Sequence, residues 1–192
     1  MRELIDSMNL PNLLTLVRIL FVPVFVAVYL LADAYVWAAA VFTIAAITDG
    51  LDGYLARRWQ QTTDFGAFLD PVADKLIVVS ALALLIGSHT SVLMTLPALI
   101  IIGREVVISA LREWMAEMNR RGLVKVSWLG KLKTVLQMVA IIILLANPPA
   151  LDRPWVIIGY ILMYVAVILT LWSMAQYVKA AWPTLLAGMK QT

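Results

Sequence analysis

Six long apolar runs, separated by short polar segments, set the order of this chain. The first runs from about Leu13 to Leu31, after the turn-forming Asn9-Leu10-Pro11-Asn12. The second covers about Tyr35 to Ala56, the third Phe65 to Gly87 and the fourth Val92 to Met118. Gly87 to Ser91 is a short loop, in which the lone histidine, His89, is expected to be solvated. The fifth starts near Trp128 and stops before Asn147-Pro148-Pro149, and the sixth covers about Trp155 to Tyr177. A helix needs about 20 apolar residues to cross the hydrocarbon core of a bilayer. The predicted fold is therefore an all-α integral membrane protein, a bundle of about six transmembrane helices with short loops. A secretory signal is the rival for the first run, with Ala32-Asp33-Ala34 as the cleavage site. That run is too long, and acidic residues precede it, so it is taken as an anchor. Met1 to Asn9 fits either a short interfacial amphipathic helix or a frayed terminus.

Composition agrees with this pattern and narrows it. The chain has 192 residues, of which 62% are hydrophobic, and its mean hydropathy is +0.90. An ordinary soluble domain is nearer half apolar. The whole chain, residues 1–192, is thus expected to be one membrane-embedded domain with no soluble appendage. It has no cysteine, which excludes a disulfide framework, a thiol nucleophile and a thiolate metal site. The net charge of +3 is dispersed among apolar runs, so no nucleic-acid partner is expected. The placement of charge says more than its sum. Arg57 and Arg58, Arg120 and Arg121, and Lys179 and Lys190 fall on one side of a six-span chain, with Arg153 the exception. Both termini are therefore expected in the cytoplasm.

Four aspartates contradict the apolar background. They lie in D-G-L-D-G-Y-L-A-R-R-W-Q-Q-T-T-D-F-G-A-F-L-D-P-V-A-D-K, residues 49–75. Asp49 and Asp52 are three apart and Asp70 and Asp74 four apart, so each pair shares one helix face. An ionisable group inside a membrane segment costs at least ~2.5 kcal/mol and marks function by default. Four carboxylates together need a counter-charge, and an all-oxygen donor set favours Mg²⁺, Mn²⁺ or Ca²⁺ over zinc. Gly53 and Ala56 strip side chain from the face that carries Asp52, and Gly66 lies one turn before Asp70. Arg57 adds a cation at the rim. At about 1.5 Å per residue, the first pair lies roughly 8 to 12 Å from the helix end and the second roughly 8 to 15 Å from the next helix start. Arg18, Arg112, Lys131 and Lys133 approach the same depth from other helices, Arg18 either snorkelling to the surface or facing the site.

The pattern D-x-x-D-G-x-x-A-R, eight residues, then G-x-x-x-D-x-x-x-D resembles the signature of the CDP-alcohol phosphotransferase family, and every fixed position is present. The resemblance implies transfer of a phosphatidyl-type group from a CDP-linked lipid to an alcohol, with release of CMP. It implies that Asp49, Asp52, Asp70 and Asp74 ligate metal, Mg²⁺ or Mn²⁺ and two ions per site, and that Asp74 is also the general base. Asp49, Asp52, Gly53, Ala56, Arg57 and Gly66 would then receive the CDP-lipid. The family is typically homodimeric, so a homodimer is expected.

The acceptor is read from the cations. Arg104 and Arg112 are eight apart and lie within about 80° on one helix face. Lys131 and Lys133 begin the next helix. Such a cluster beside an anionic donor suits a second anion, so a phosphorylated alcohol is expected to bind at Arg104, Arg112, Lys131 and Lys133. Internal pairing with Glu105, Glu113 or Glu117 is the alternative. The stretches I-S-A-L-R-E-W-M-A-E, V-S-W-L-G-K-L-K-T and T-L-W-S-M-A-Q-Y are similar to the branch of the family that takes sn-glycerol 3-phosphate, with CDP-diacylglycerol as donor. Inositol phosphate is the nearest competing acceptor. A divalent-cation transporter is the rival from another class, but its acids belong near the midplane. An aspartate-motif prenyltransferase would need more closely packed acids. The expected setting is the bacterial cytoplasmic membrane, with the site facing the cytoplasm.

Overall fold

The computed structural model describes residues 10–59, 63–117 and 128–189. The described side chains exclude those at 10, 11, 49, 51–57, 64, 116, 117, 129, 180 and 183–189. The proposed interfacial segment before Leu10 and the loop with Arg120, Arg121 and Lys125 lie outside the described residues. Among the described residues there are six helices and no strand. They are α1 (Leu10–Ala32), α2 (Tyr35–Arg58), α3 (Asp64–His89), α4 (Val92–Glu117), α5 (Trp128–Leu145) and α6 (Pro154–Met189). Asn12–Ala32, Val92–Met115 and Pro154–Lys179 are long and apolar enough to cross a bilayer, and Tyr35–Thr48 is a shorter apolar helix segment. The chain is an all-α membrane protein.

Local chemistry sets the helix limits. Asp33, at φ 48°, makes the two-residue turn that reverses the chain between α1 and α2. Thr63 caps α3, its Oγ1 accepting the Gly66 N–H at 3.0 Å. Thr90, in the left-handed region at φ 41°, closes α3 by donating its N–H to Ile86 O. Ser91 then starts α4, its Oγ accepting from Leu93 N. The largest difference from the sequence reading is at the last helix. The sixth helix was expected to stop near Tyr177 and continues to Met189.

Helix α6 packs most extensively on α5, and α1 on α2 and α3. Helix α4 is held by α6 and α3, and α2 touches α5. Gly159 permits the close approach of α6 to α5, since a Cβ there would strike the Leu144 side chain at 2.7 Å. The apolar core is displaced toward one end of the bundle. It comprises Phe25 and Tyr29 of α1, Phe42 of α2, Leu82 and Leu85 of α3, Met94 and Ile101 of α4, Ile141 and Leu144 of α5, and Met163 of α6. That end carries the turns at 33–34, 90–91 and 146–153. Asn12, Thr15, Arg18, Lys133, Gln137 and Thr170 are also buried, but in the other half. The bundle is thus dry at one end and polar inside at the other.

The lone histidine belongs to the dry end. A solvated loop residue was expected, but His89 is the last residue of α3 and is buried. Its Nδ1 lies 3.0 Å from the Tyr160 hydroxyl, and the rings meet edge to face at 5.5 Å. The helix runs two residues past Gly87, and this brings His89 against α6. Trp37 and Trp155 are exposed at this end, and Trp128 is exposed toward the opposite end.

Candidate active site

The polar half is organised by three residues of α1. Asn12, Thr15 and Arg18 are three apart and share a stripe that faces α3. Asn12 Nδ2 donates to Thr63 Oγ1 at 2.9 Å, and a Cβ on Gly66 would collide with the Asn12 amide oxygen. One turn deeper, Thr15 Oγ1 donates to Asp70 Oδ1 at 2.8 Å. Arg18 follows at 0% exposure. It does not snorkel to the surface.

Register places the aspartates relative to this stripe. Phe25 and Phe42 stack edge to face at 5.8 Å and fix antiparallel α1 against α2. Arg18 stands seven residues before Phe25 and Asp49 seven after Phe42, so both lie at one level. Thr15 and Asp52 are each ten residues away from the same pair and share the next level out. Thr15 also bonds Asp70, which puts Asp52 and Asp70 at one depth and Asp74 near that of Asp49 and Arg18. Asp70 is half-buried and Asp74 exposed. The side chains of Asp49, Asp52, Gly53, Ala56 and Arg57 lie outside the described residues. Among the described residues no three acidic or imidazole side chains cluster. From the backbone ends, Asp52 and Asp70 are about 9 Å inside their helices, and Asp49 and Asp74 about 14 to 15 Å.

The cations occupy the other three helices. Lys133 is 5% exposed, and its Nζ has no hydrogen-bond partner among the described residues. Arg104, Glu105 and Arg112 are close enough for their charges to act on it. Arg104 Nη1 is ion-paired with Glu105 Oε1, as the internal-pairing alternative anticipated, yet its Nε stays buried without a partner among the described residues. Arg112 is exposed and lies over the Tyr177 ring, 5.7 Å from its centroid. Lys131 is exposed two residues before Lys133. The loop 146–148 lies beside 33–37 in one surface cavity, so α5 descends from the same end as α2. Counting down both helices sets Lys133 level with Thr48 and Asp49. Acidic and basic positions of five helices therefore fall at one level along the bundle.

Sequence reasoning gave no site role to Asn12, Thr15 or Thr170. Their signal is weak: isolated polar residues at helical spacing within apolar runs.

A membrane bundle whose helices bring acidic and basic positions to one level has the arrangement an intramembrane enzyme requires. The profile of the CDP-alcohol phosphatidyltransferases matches residues 8–172, and the chain belongs to that family; it is a transferase. A Pseudomonas fluorescens protein called CDP-diacylglycerol–glycerol-3-phosphate 3-phosphatidyltransferase is 55% identical over 182 residues, covering 93% of this chain and 92% of that protein. Proteins of the same name from Yersinia pestis (strain Pestoides F) and Salmonella paratyphi A are 50% identical over 184 residues and 54% identical over 178 residues. They cover 94% and 90% of this chain, and 98% and 94% of their own lengths.

Proposed function

We propose that this protein transfers the phosphatidyl group of CDP-diacylglycerol to sn-glycerol 3-phosphate, giving phosphatidylglycerophosphate and CMP. The observation that carries the acceptor is the identity of 50 to 55% to relatives bearing that activity in their names, over at least nine-tenths of each chain. The buried Lys133 ammonium beside Arg104 supports it. A cation held out of water without a partner favours an anionic acceptor over choline, ethanolamine or serine.

The four aspartates supply only carboxylate oxygens, a donor set that fits Mg²⁺ or Mn²⁺, two ions per site. Metal bound there would neutralise the pyrophosphate and the departing CMP. Gly53, Ala56 and Arg57 receive the cytidine and pyrophosphate, with Gly66 admitting Asn12 at the pocket wall. Arg104, Arg112 and Lys133 hold the acceptor phosphate, while Lys131, two residues from Lys133 and exposed, lies on another face of α5. Asp74 lies one turn deeper than Asp70 and is exposed, so one carboxylate oxygen can face the acceptor hydroxyl. Asp74 takes the hydroxyl proton while the acceptor's hydroxyl oxygen attacks the phosphatidyl phosphorus in line, and the bond to CMP breaks. The enzyme works as a homodimer in the bacterial cytoplasmic membrane, with both termini and the site on the cytoplasmic side.

The test is an acceptor panel with purified protein, CDP-diacylglycerol and Mg²⁺ or Mn²⁺, reading CMP. Glycerol 3-phosphate should be the preferred acceptor over inositol phosphate, serine and phosphatidylglycerol. CMP release that is equal with serine, or independent of any acceptor, would overturn the assignment.

A further inference from the structure

The polar half of the bundle holds one more buried group that the reading so far does not use. Thr170 of α6 is 1% exposed, and its Oγ1 has no hydrogen-bond partner among the described residues. A helical threonine ordinarily satisfies its hydroxyl by bonding a carbonyl three or four residues back. Thr43, Thr48 and Thr95 of this chain do so. A buried hydroxyl with no partner costs roughly 1–3 kcal/mol, so its retention needs a reason.

Register supplies the reason. Gly159 packs on Leu144 and fixes antiparallel α6 against α5. Thr170 lies eleven residues after Gly159, and Lys133 eleven before Leu144. Equal rise brings the two to one level. They also share a face, because Val156, Tyr160, Met163, Val167 and Thr170 form the buried stripe of α6, and Lys133, Gln137, Ile141 and Leu144 that of α5. Helix α4 joins at the same level. Tyr164 donates to Leu93 O at 3.1 Å, and Arg112 lies over Tyr177, and Arg104 and Thr170 fall between these two ties. Lys133 Nζ, Thr170 Oγ1 and Arg104 Nε are thus three buried donors without partners among the described residues, one from each of three packed helices.

We infer that Thr170 is a ligand of the acceptor phosphate, its hydroxyl donating to one phosphate oxygen between Lys133 and Arg104. The inference rests on the proposed acceptor reading. A phosphate dianion offers three strongly accepting oxygens, and one hydroxyl, one ammonium and one guanidinium N–H from three directions match that shape better than two cations alone. A single water would satisfy the hydroxyl but leave the ammonium charge uncompensated.

Thr170→Val removes the hydroxyl at nearly constant volume, and Thr170→Ser keeps it. A hydrogen bond to a charged group corresponds to about a tenfold or larger effect, so T170V should raise KM for glycerol 3-phosphate by at least about tenfold. KM for CDP-diacylglycerol should stay as in wild type, and T170S should recover most of the loss. The detergent-solubilised T170V protein should melt no lower than wild type, because a methyl replaces an unpaired hydroxyl. The rise in melting temperature that glycerol 3-phosphate gives the wild type should shrink. Should T170V fail to fold, Thr170→Ala carries the same comparison. Lys133→Met is measured in parallel. If K133M loses acceptor affinity while T170V keeps it, this inference falls and the acceptor site stands. If both variants keep full acceptor affinity, the acceptor site itself is misplaced.

Discussion

Thr15 shows how much one hydroxyl can settle. It is completely buried, three residues from Asn12 and Arg18, and it donates to Asp70 across helices fifty-five positions apart in sequence. A carboxylate that accepts such a bond has one oxygen fixed, leaving the other aimed by default. Replacing a partner that orients a metal ligand typically costs about 10- to 100-fold in metal affinity. On the proposed metal site, Thr15→Val should therefore raise, by about that factor, the Mg²⁺ or Mn²⁺ concentration needed for half-maximal activity. The same shift should appear in metal-induced thermal stabilisation measured without substrates. Thr15→Ser should behave like wild type. An unchanged metal dependence in both readouts would reduce Thr15 to a packing residue. Gly66 carries a related lesson. Its missing side chain makes room for Asn12 and not merely for a ligand, so Gly66→Ala should disturb the α1–α3 joint before it disturbs binding.

At the scale of the helices, charge and length do different work. The polar ends of α2, α3, α4 and α5 and the extension of α6 all project from the side that bears the Arg57–Arg58 hairpin, opposite Arg153. On the proposed orientation, which rests on the Lys and Arg asymmetry, a reporter active only in the periplasm, fused after Thr192, should give no signal. Strong activity from that fusion would invert the bundle and place the aspartates on the wrong face. Helix positions were legible because lipid imposes a minimum apolar length. The end of α6 was not, since hydropathy marks where lipid stops and not where the helix stops. Beyond Tyr177 the chain keeps helix formers such as Ala180, Ala181 and Leu185, and the backbone continues. The aspartate motif was legible because charge in an apolar run is costly and its spacing is helical. Asn12, Thr15 and Thr170 were not, because a lone threonine or asparagine in such a run is cheap. Its meaning depends on which helix stands opposite, and local pattern does not encode that register. His89 was misread for the same reason.

The whole molecule is a bundle divided across its axis. Tightly packed Phe25, Phe42, Leu85, Ile141 and Leu144 hold one end together, and this allows the other end to keep buried polar groups. Acidic and basic positions reach one level from α1 to α5, while α6 adds Thr170, so no single helix carries the chemistry. That level lies about 9 to 15 Å inside the helix ends, within one leaflet. On the proposed reading, this depth sets the two substrates in different dimensions. Glycerol 3-phosphate arrives from a volume and is counted in moles per litre. CDP-diacylglycerol arrives sideways, within a sheet, and is counted per lipid neighbour. Diluting the donor with inert detergent at constant bulk concentration should then slow turnover as its mole fraction in the micelle falls. Adding protein-free micelles of unchanged composition should leave the rate nearly alone. A rate that followed bulk donor concentration in both titrations would mean that the lipid leaves the sheet to react.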